Sequence, residues 1–185
     1  MAERLFFSVP LSRISQLELI RLQARLGADM SGPARVVPAA NFHLTLAFLG
    51  SVSQQQKAAL LARWESLVVP EVSLELDQLA YWHRAGVICA TTSRTPMALG
   101  QLAHRLRQDA AEHGLHRSQA PFRPHVSLFR SVSQLSRELP AITPVPLHIN
   151  EVDLMVSVFE PHGVEYHSVR RWGGAGNLSP GTEPR

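Results

Sequence analysis

The chain has 185 residues, 45% of them hydrophobic and 18% charged, a balance that supports a buried core and excludes a chain disordered throughout. Lys+Arg number 18 against 15 Asp+Glu, for a formal charge of +3, so a polyanionic partner is permitted without being demanded. The sole cysteine, Cys89, excludes an intrachain disulfide and a thiolate zinc site, and no apolar run approaches the ~20 residues that span a bilayer.

Met1 to Arg4 shows no signal-peptide layout, so a cytoplasmic protein is expected. Lys57 is the only lysine. The other cations are arginines, whose forked donors suit phosphate, although a bias in genomic base composition enriches arginine too.

In chain order, Leu5 to Val9 reads as a buried strand ended by Pro10. Ser12 caps a helix with Ile14, Leu17, Leu22 and Leu26 near helical spacing and Gly27 at its stop. Asp29 to Ala40 is mostly loop, with a brief strand at Arg35 to Val37. Phe42 to Leu49 reads as a strand, its alternation from Phe42 to Leu46 giving one apolar face, and Gly50 ends it. Ser53 and Gln56 form a capping box for a helix through Leu60, Leu61, Trp64 and Leu67. Val72 to Leu79 and Gly86 to Thr92 read as strands, with Tyr81 to Ala85 as their hairpin loop.

Thr95-Pro96 is a cap followed by proline at the first helical position, opening a helix that stops at Gly114. A loop from Leu115 to Pro124 leads into a short strand, His125 to Arg130. After the proline-rich connection Arg137 to Pro146, the last strands are Leu147 to Val158 and Val164 to Trp172. The mixture predicts an α+β fold with mainly antiparallel sheets and helices outside. Residues 1–172 are expected to form one domain of two lobes, and residues 173–185, rich in Gly, Pro and Ser, a disordered tail.

The most informative feature is an echo between the halves. His43-Leu44-Thr45-Leu46 and His125-Val126-Ser127-Leu128 share one pattern, about 80 residues apart. In a strand, residues i and i+2 share a face. His43 therefore projects with Thr45, and His125 with Ser127. Two such strands facing each other line a cleft with two imidazoles and two hydroxyls. Imidazole moves protons near neutral pH, and hydroxyls can donate to the non-bridging oxygens of a phosphoryl group. These parts suffice to open a phosphodiester without metal. The plain alternative is a pair of half-buried histidines bonded to their neighbours. A metal site is weakly supported, because neither motif has a neighbouring acid or second histidine.

The doubled motif resembles the 2H phosphoesterase superfamily, and within it the bacterial RNA 2′,3′-cyclic phosphodiesterases, also called 2′-5′ RNA ligases. The likeness extends to Arg4-Leu5-Phe6-Phe7, His43 to Gly50, Pro121 to His125 and Tyr166 to Trp172. It implies a bilobal pseudo-twofold fold, with an active cleft between two sheets. It also implies metal-independent hydrolysis of RNA ends carrying a 2′,3′-cyclic phosphate to 2′-phosphates. No cofactor is expected, and a monomer is. Ser127 departs from the threonine common in the family but keeps the hydroxyl.

On this reading His43 is the general acid on O3′ and His125 the general base on water, an order that the symmetry of the pattern leaves reversible. Thr45 and Ser127 bind the non-bridging oxygens. The resemblance places Arg130 on the phosphate or base, although simple alternation points it away from Ser127. Phe48 is either a stacking platform for a base or an ordinary core aromatic. Arg35, Arg117 and Arg123 are weaker candidates for the RNA backbone, and Tyr81, Trp82 and His83 for a longer RNA. Cys89 reads as a small core residue. Rival readings are cleavage or ligation of 2′-5′ linkages as the main task, and a nucleotide-binding module without catalysis.

Overall fold

The computed structural model describes residues 2–28, 32–115, 118–135, 137–161 and 163–174. The expected tail from 175 onward, Arg117 and His162 lie outside them.

The first strand, β1 (Glu3–Val9), is central in a four-stranded sheet and is buried from Leu5 onward. It leads to α1 (Arg13–Ala28), where the Ser12 hydroxyl accepts the Ser15 amide at 3.1 Å as an N-cap should. A two-residue strand, β2 (Arg35–Val36), precedes β3 (Leu44–Val52). Gly50 does not end β3 as expected. It lies within the strand, at a positive φ of 80° beside a register shift, where glycine's freedom accommodates the irregularity. The predicted capping box is present, Ser53 and Gln56 bonding reciprocally at the start of α2 (Gln54–Arg63).

Two expected strands are each divided. Val72 to Leu79 becomes β4 (Val72–Leu76) and β5 (Gln78–Trp82). The break is Asp77, whose carboxylate accepts from both the amide and the hydroxyl of Ser93. Tyr81 and Trp82 thus belong to β5 rather than to a hairpin loop, and a short turn over His83–Ala85 leads to β6 (Val87–Thr91). Likewise Leu147 to Val158 becomes β8 (Val145–Ile149) and β9 (Glu151–Glu160). Between β6 and β8 lie α3 (Met97–Glu112) and β7 (His125–Arg130), and β10 (Gly163–Gly173) follows β9. At α3, Pro96 is the N-cap residue and no side chain caps the helix, so the expected Thr95 cap is absent.

The strands form two antiparallel four-stranded sheets, ordered β10-β9-β1-β3 and β2-β7-β6-β5, and a two-stranded pair, β4-β8. The fold is α+β, as expected, and the halves are interleaved. The late strands β9 and β10 complete the sheet of β1 and β3, while β2 joins the sheet of β7. The helices cross over as well: α3 packs against β3, and α1 against β7 and β8.

The core lies on the inner faces of these layers. Phe7 meets Trp64 edge-on, with ring centroids 4.6 Å apart, and Trp172 at 5.5 Å. The buried carboxylate of Asp109 accepts from the Trp64 indole at 2.8 Å and from Arg63 at 2.6 Å, tying α3 to α2. Among the described residues, no buried side-chain nitrogen or oxygen lacks a hydrogen-bond partner.

Candidate active site

Phe6 of β1 and Ser8 beyond it share the outer face of their sheet by the period of two, while Leu5 and Phe7 enter the core. Across the ladder, Ser8 stands opposite Thr45 and Phe6 opposite Phe48. Residues paired across strands share a face, so Phe6, Ser8, Thr45 and Phe48 line one surface. In the second sheet Ser127 stands opposite Cys89, and His125 opposite Thr91.

Each histidine sits at the entrance to its strand and is held in the same way. His43 Nδ1–H donates to the Asn41 carbonyl at 2.7 Å, and His125 Nδ1–H to the Arg123 carbonyl at 2.8 Å. A carbonyl only accepts, so Nδ1 carries the proton, and in the neutral ring Nε2 keeps its lone pair. Both approach loops are pinned in turn. The Asn41 side-chain Nδ2 donates to the Val164 carbonyl at 2.9 Å, and the Thr91 hydroxyl to the Pro124 carbonyl at 2.8 Å.

Each ring also rests on aromatic neighbours. His43 lies 5.0 Å from Phe6 and 5.0 Å from Tyr166, the latter edge-on, and His125 meets Trp82 edge-on at 4.4 Å. Phe6 and Tyr166 were not among the expected site residues. Tyr166 comes from β10, two strands beyond β1, and no local pattern signals that approach. Trp82 was considered for a longer RNA, and the structure sets it against the second imidazole.

The strands then make the same deviation. In β3 the register skips Leu46, and in β7 it skips Leu128. Each is a β-bulge three residues after the histidine. An extra residue reverses the side-chain alternation beyond it. The bulge at Leu128 therefore restores Arg130 to the face of His125 and Ser127, which simple alternation denied it. The bulge at Leu46 does the same for Phe48, which is 42% exposed with the Arg4 guanidinium 5.1 Å from its ring centroid. Phe48 is thus a surface aromatic, and the core reading of it fails. Thr45 and Ser127 are half-buried beside their histidines.

The electrostatics agree with this convergence. Burial lowers the His43 pKa from 6.5 to about 4, and the charges of Arg130 and His125 oppose its protonation further. Burial also lowers the His125 pKa, again with Arg130, and then Arg107, adding to the effect. One guanidinium felt by both rings places Arg130 within electrostatic reach of both. In β2, Arg35 stands directly opposite Arg130, adding a second exposed cation. The Arg123 side chain is exposed; its carbonyl, not its guanidinium, makes the contact described above. Tyr81 bonds the Val132 carbonyl at 3.0 Å, and its ring lies 5.8 Å from that of His83, a local packing role. Cys89, opposite Ser127 on the neighbouring strand, is fully buried, its thiol pushed up to about 12 by burial. Among the described residues, no three His, Cys, Asp or Glu side chains gather as a metal ion's ligands do, and no helix is long and apolar enough to cross a membrane.

The family model described as LigT like Phosphoesterase matches residues 9–89. A curated relative, RNA 2′,3′-cyclic phosphodiesterase of Escherichia coli (strain K12), is 34% identical over 170 residues, covering 92% of this chain and 96% of its own. The chain belongs to the LigT-like phosphoesterase family. Among solved structures, E. coli LigT complexed with 3′-AMP superposes with a TM-score of 0.86 at 32% identity, covering 94% of this chain and 98% of that one. E. coli LigT complexed with ATP matches with a TM-score of 0.79 at 31% identity, over 93% and 97% of the two chains. A Thermus thermophilus protein, TT0787, at 22% identity and a TM-score of 0.77 over 92% and 97%, shares the fold.

Proposed function

We propose that this LigT-like phosphoesterase hydrolyses RNA ends bearing a 2′,3′-cyclic phosphate to 2′-phosphates, without a metal ion. The observation that carries the reading is the matched pair of imidazoles. Both have Nδ1 tied to a carbonyl two residues upstream, both leave Nε2 for chemistry, and both share a face with a hydroxyl and feel one arginine. The E. coli relative's name, RNA 2′,3′-cyclic phosphodiesterase, supports the same substrate.

In this mechanism His125 takes a proton from water as its oxygen attacks phosphorus. The P–O3′ bond breaks, and His43 gives its Nε2 proton to O3′, leaving the phosphate on O2′. Thr45 and Ser127 donate to the non-bridging oxygens, where charge accumulates, and Arg130 offsets it. Phe48 offers a face on which the terminal base stacks. The substrate is an anion. Set between the rings, it counters the repulsion from Arg130 and helps one imidazole hold its proton. Every group named comes from one chain, so a monomer suffices.

A specific observation favours the reverse order of the histidines. Burial drives His43 down to about 4, and a ring held neutral is suited to take a proton. The choice is made with a short RNA carrying a 2′,3′-cyclic phosphate, in the presence of EDTA. H43A and H125A should each lose roughly 10²–10⁴-fold in rate. On an analogue with an activated leaving group, which needs no acid, H43A should recover while H125A does not. Recovery of H125A instead reverses the order. Wild-type protein that binds the RNA without converting it removes the proposal in favour of a binding module.

A further inference from the structure

Arg130 and Phe48 face the cleft only because the two catalytic strands are bulged, and the bulged residues need support. Leu46 and Leu128 are fully buried. A bulge disrupts the ladder at the extra residue, so its buried carbonyl needs a donor from elsewhere.

The donors come from helices that cross between the halves. The Leu46 carbonyl in β3 accepts from Arg107 Nε of α3 at 3.0 Å, while Arg107 Nη1 donates to the Ala120 carbonyl at 3.2 Å. The Leu128 carbonyl in β7 accepts from Gln23 Nε2 of α1 at 2.7 Å, and the same amide donates to the Val37 carbonyl at 2.9 Å. The Val37 amide donates to that Leu128 carbonyl as well, at 3.0 Å. Val37 lies in the loop that enters the His43 strand, and Ala120 in the loop that enters the His125 strand. Each side chain thus links the approach to one histidine with the bulge in the other histidine's strand. The arrangement occurs twice, with a different residue type in each place, so the shared feature is the bridge between two carbonyls rather than the charge.

We propose that Gln23 and Arg107 are a crossed pair of positioning residues: Gln23 sets Arg130 through the Leu128 bulge, and Arg107 sets Phe48 through the Leu46 bulge. Neither acts on the reacting atoms. Each fixes the phase of a strand and therefore which side chain meets the substrate. This rests on the reading of Arg130 and Phe48 as substrate-binding residues.

The test is a set of double-mutant cycles on kcat/KM for an RNA with a 2′,3′-cyclic phosphate end. Q23M and R107M keep much of the side-chain bulk and remove the donors. Q23M should lower kcat/KM roughly fivefold or more in the wild-type and F48A backgrounds, and less than about twofold in R130A. R107M should show the mirror pattern, losing activity in wild type and R130A but little in F48A. A generally structural role gives equal losses on both backgrounds and overturns the proposal, as does the absence of any loss in wild type. Should a methionine variant fail to fold in a thermal melt, Q23E and R107L, which also lack the donor, enter the same cycles. If R130A and F48A each leave kcat/KM unchanged, the reading of the site and the crossed pair fall together. If both lower it and the cycles are additive, the crossed pair alone falls.

Discussion

A histidine that donates Nδ1–H to a carbonyl two residues upstream has one nitrogen left for chemistry, and His43 and His125 are both held so. In the free protein both rings titrate below 6.5, His43 at about 4. Catalysis by such a pair needs one ring protonated and one neutral, and kcat/KM reports the free enzyme. The pH profile of kcat/KM should therefore be a bell lying on the acid side of neutrality, falling about tenfold from pH 7 to pH 8. Replacing Arg130 with glutamine removes a cation that opposes protonation of both rings. Its descending limb should move to higher pH, even as the rate falls. A wild-type profile level from pH 7 to pH 8 would contradict this picture. At this scale the sequence was readable, because His-x-hydroxyl needs only the strand period of two to bring imidazole and hydroxyl together. Tyr166 and Phe6 were not readable as site residues, since they meet His43 through pairing with distant strands.

Among the elements, what could be read depended on whether the signal was local. The Ser53–Gln56 capping box is a contract between residues three apart, and it appears as expected. The switches of sheet at Asp77 and Asn150 leave only a reversal of phase, from Val72, Leu74 and Leu76 to Leu79 and Tyr81, and from Val145, Leu147 and Ile149 to Val152, Leu154 and Val156; that reversal does not name the distant partners, β8 for β4 and β1 for β9. The bulges at Leu46 and Leu128 leave no local mark, which is why Arg130 looked misdirected. The expected tail boundary also differs in detail: β10 runs through Gly173, and the Gly174 amide bonds the Asn150 carbonyl at 2.9 Å. Gly173 has φ of 80°, and a Cβ there would stand 2.2 Å from the Asn150 carbonyl oxygen. Gly173→Ala should accordingly destabilise the protein by ~2 kcal/mol or more, measured as a lower urea midpoint at unchanged m-value. An unaltered midpoint would show that this corner relaxes freely.

Over the whole molecule, the cost of the site appears as a dependence of stability on pH. His43 has its ordinary pKa of 6.5 when unfolded and about 4 when folded. Between those values the unfolded chain binds a proton that the native state refuses. Stability is therefore fully present above pH 6.5 and is lost as the pH falls towards 4. This contribution is at most ~3 kcal/mol. A glutamine at position 43 has no charge to bury, so urea unfolding of H43Q should decline less steeply than wild type across that window. Parallel declines would assign the effect to other groups.

The crossing of the helices has a mechanical consequence. Strands of the second half complete the first sheet, β2 from the first half borders β7, and each long helix backs the sheet that carries the other half's histidine. Neither half can swing on the other without tearing ladder hydrogen bonds and core contacts together. The face that carries His43 is therefore assembled from both ends of the chain: it is not whole until β9 and β10, the last strands made, have joined β1.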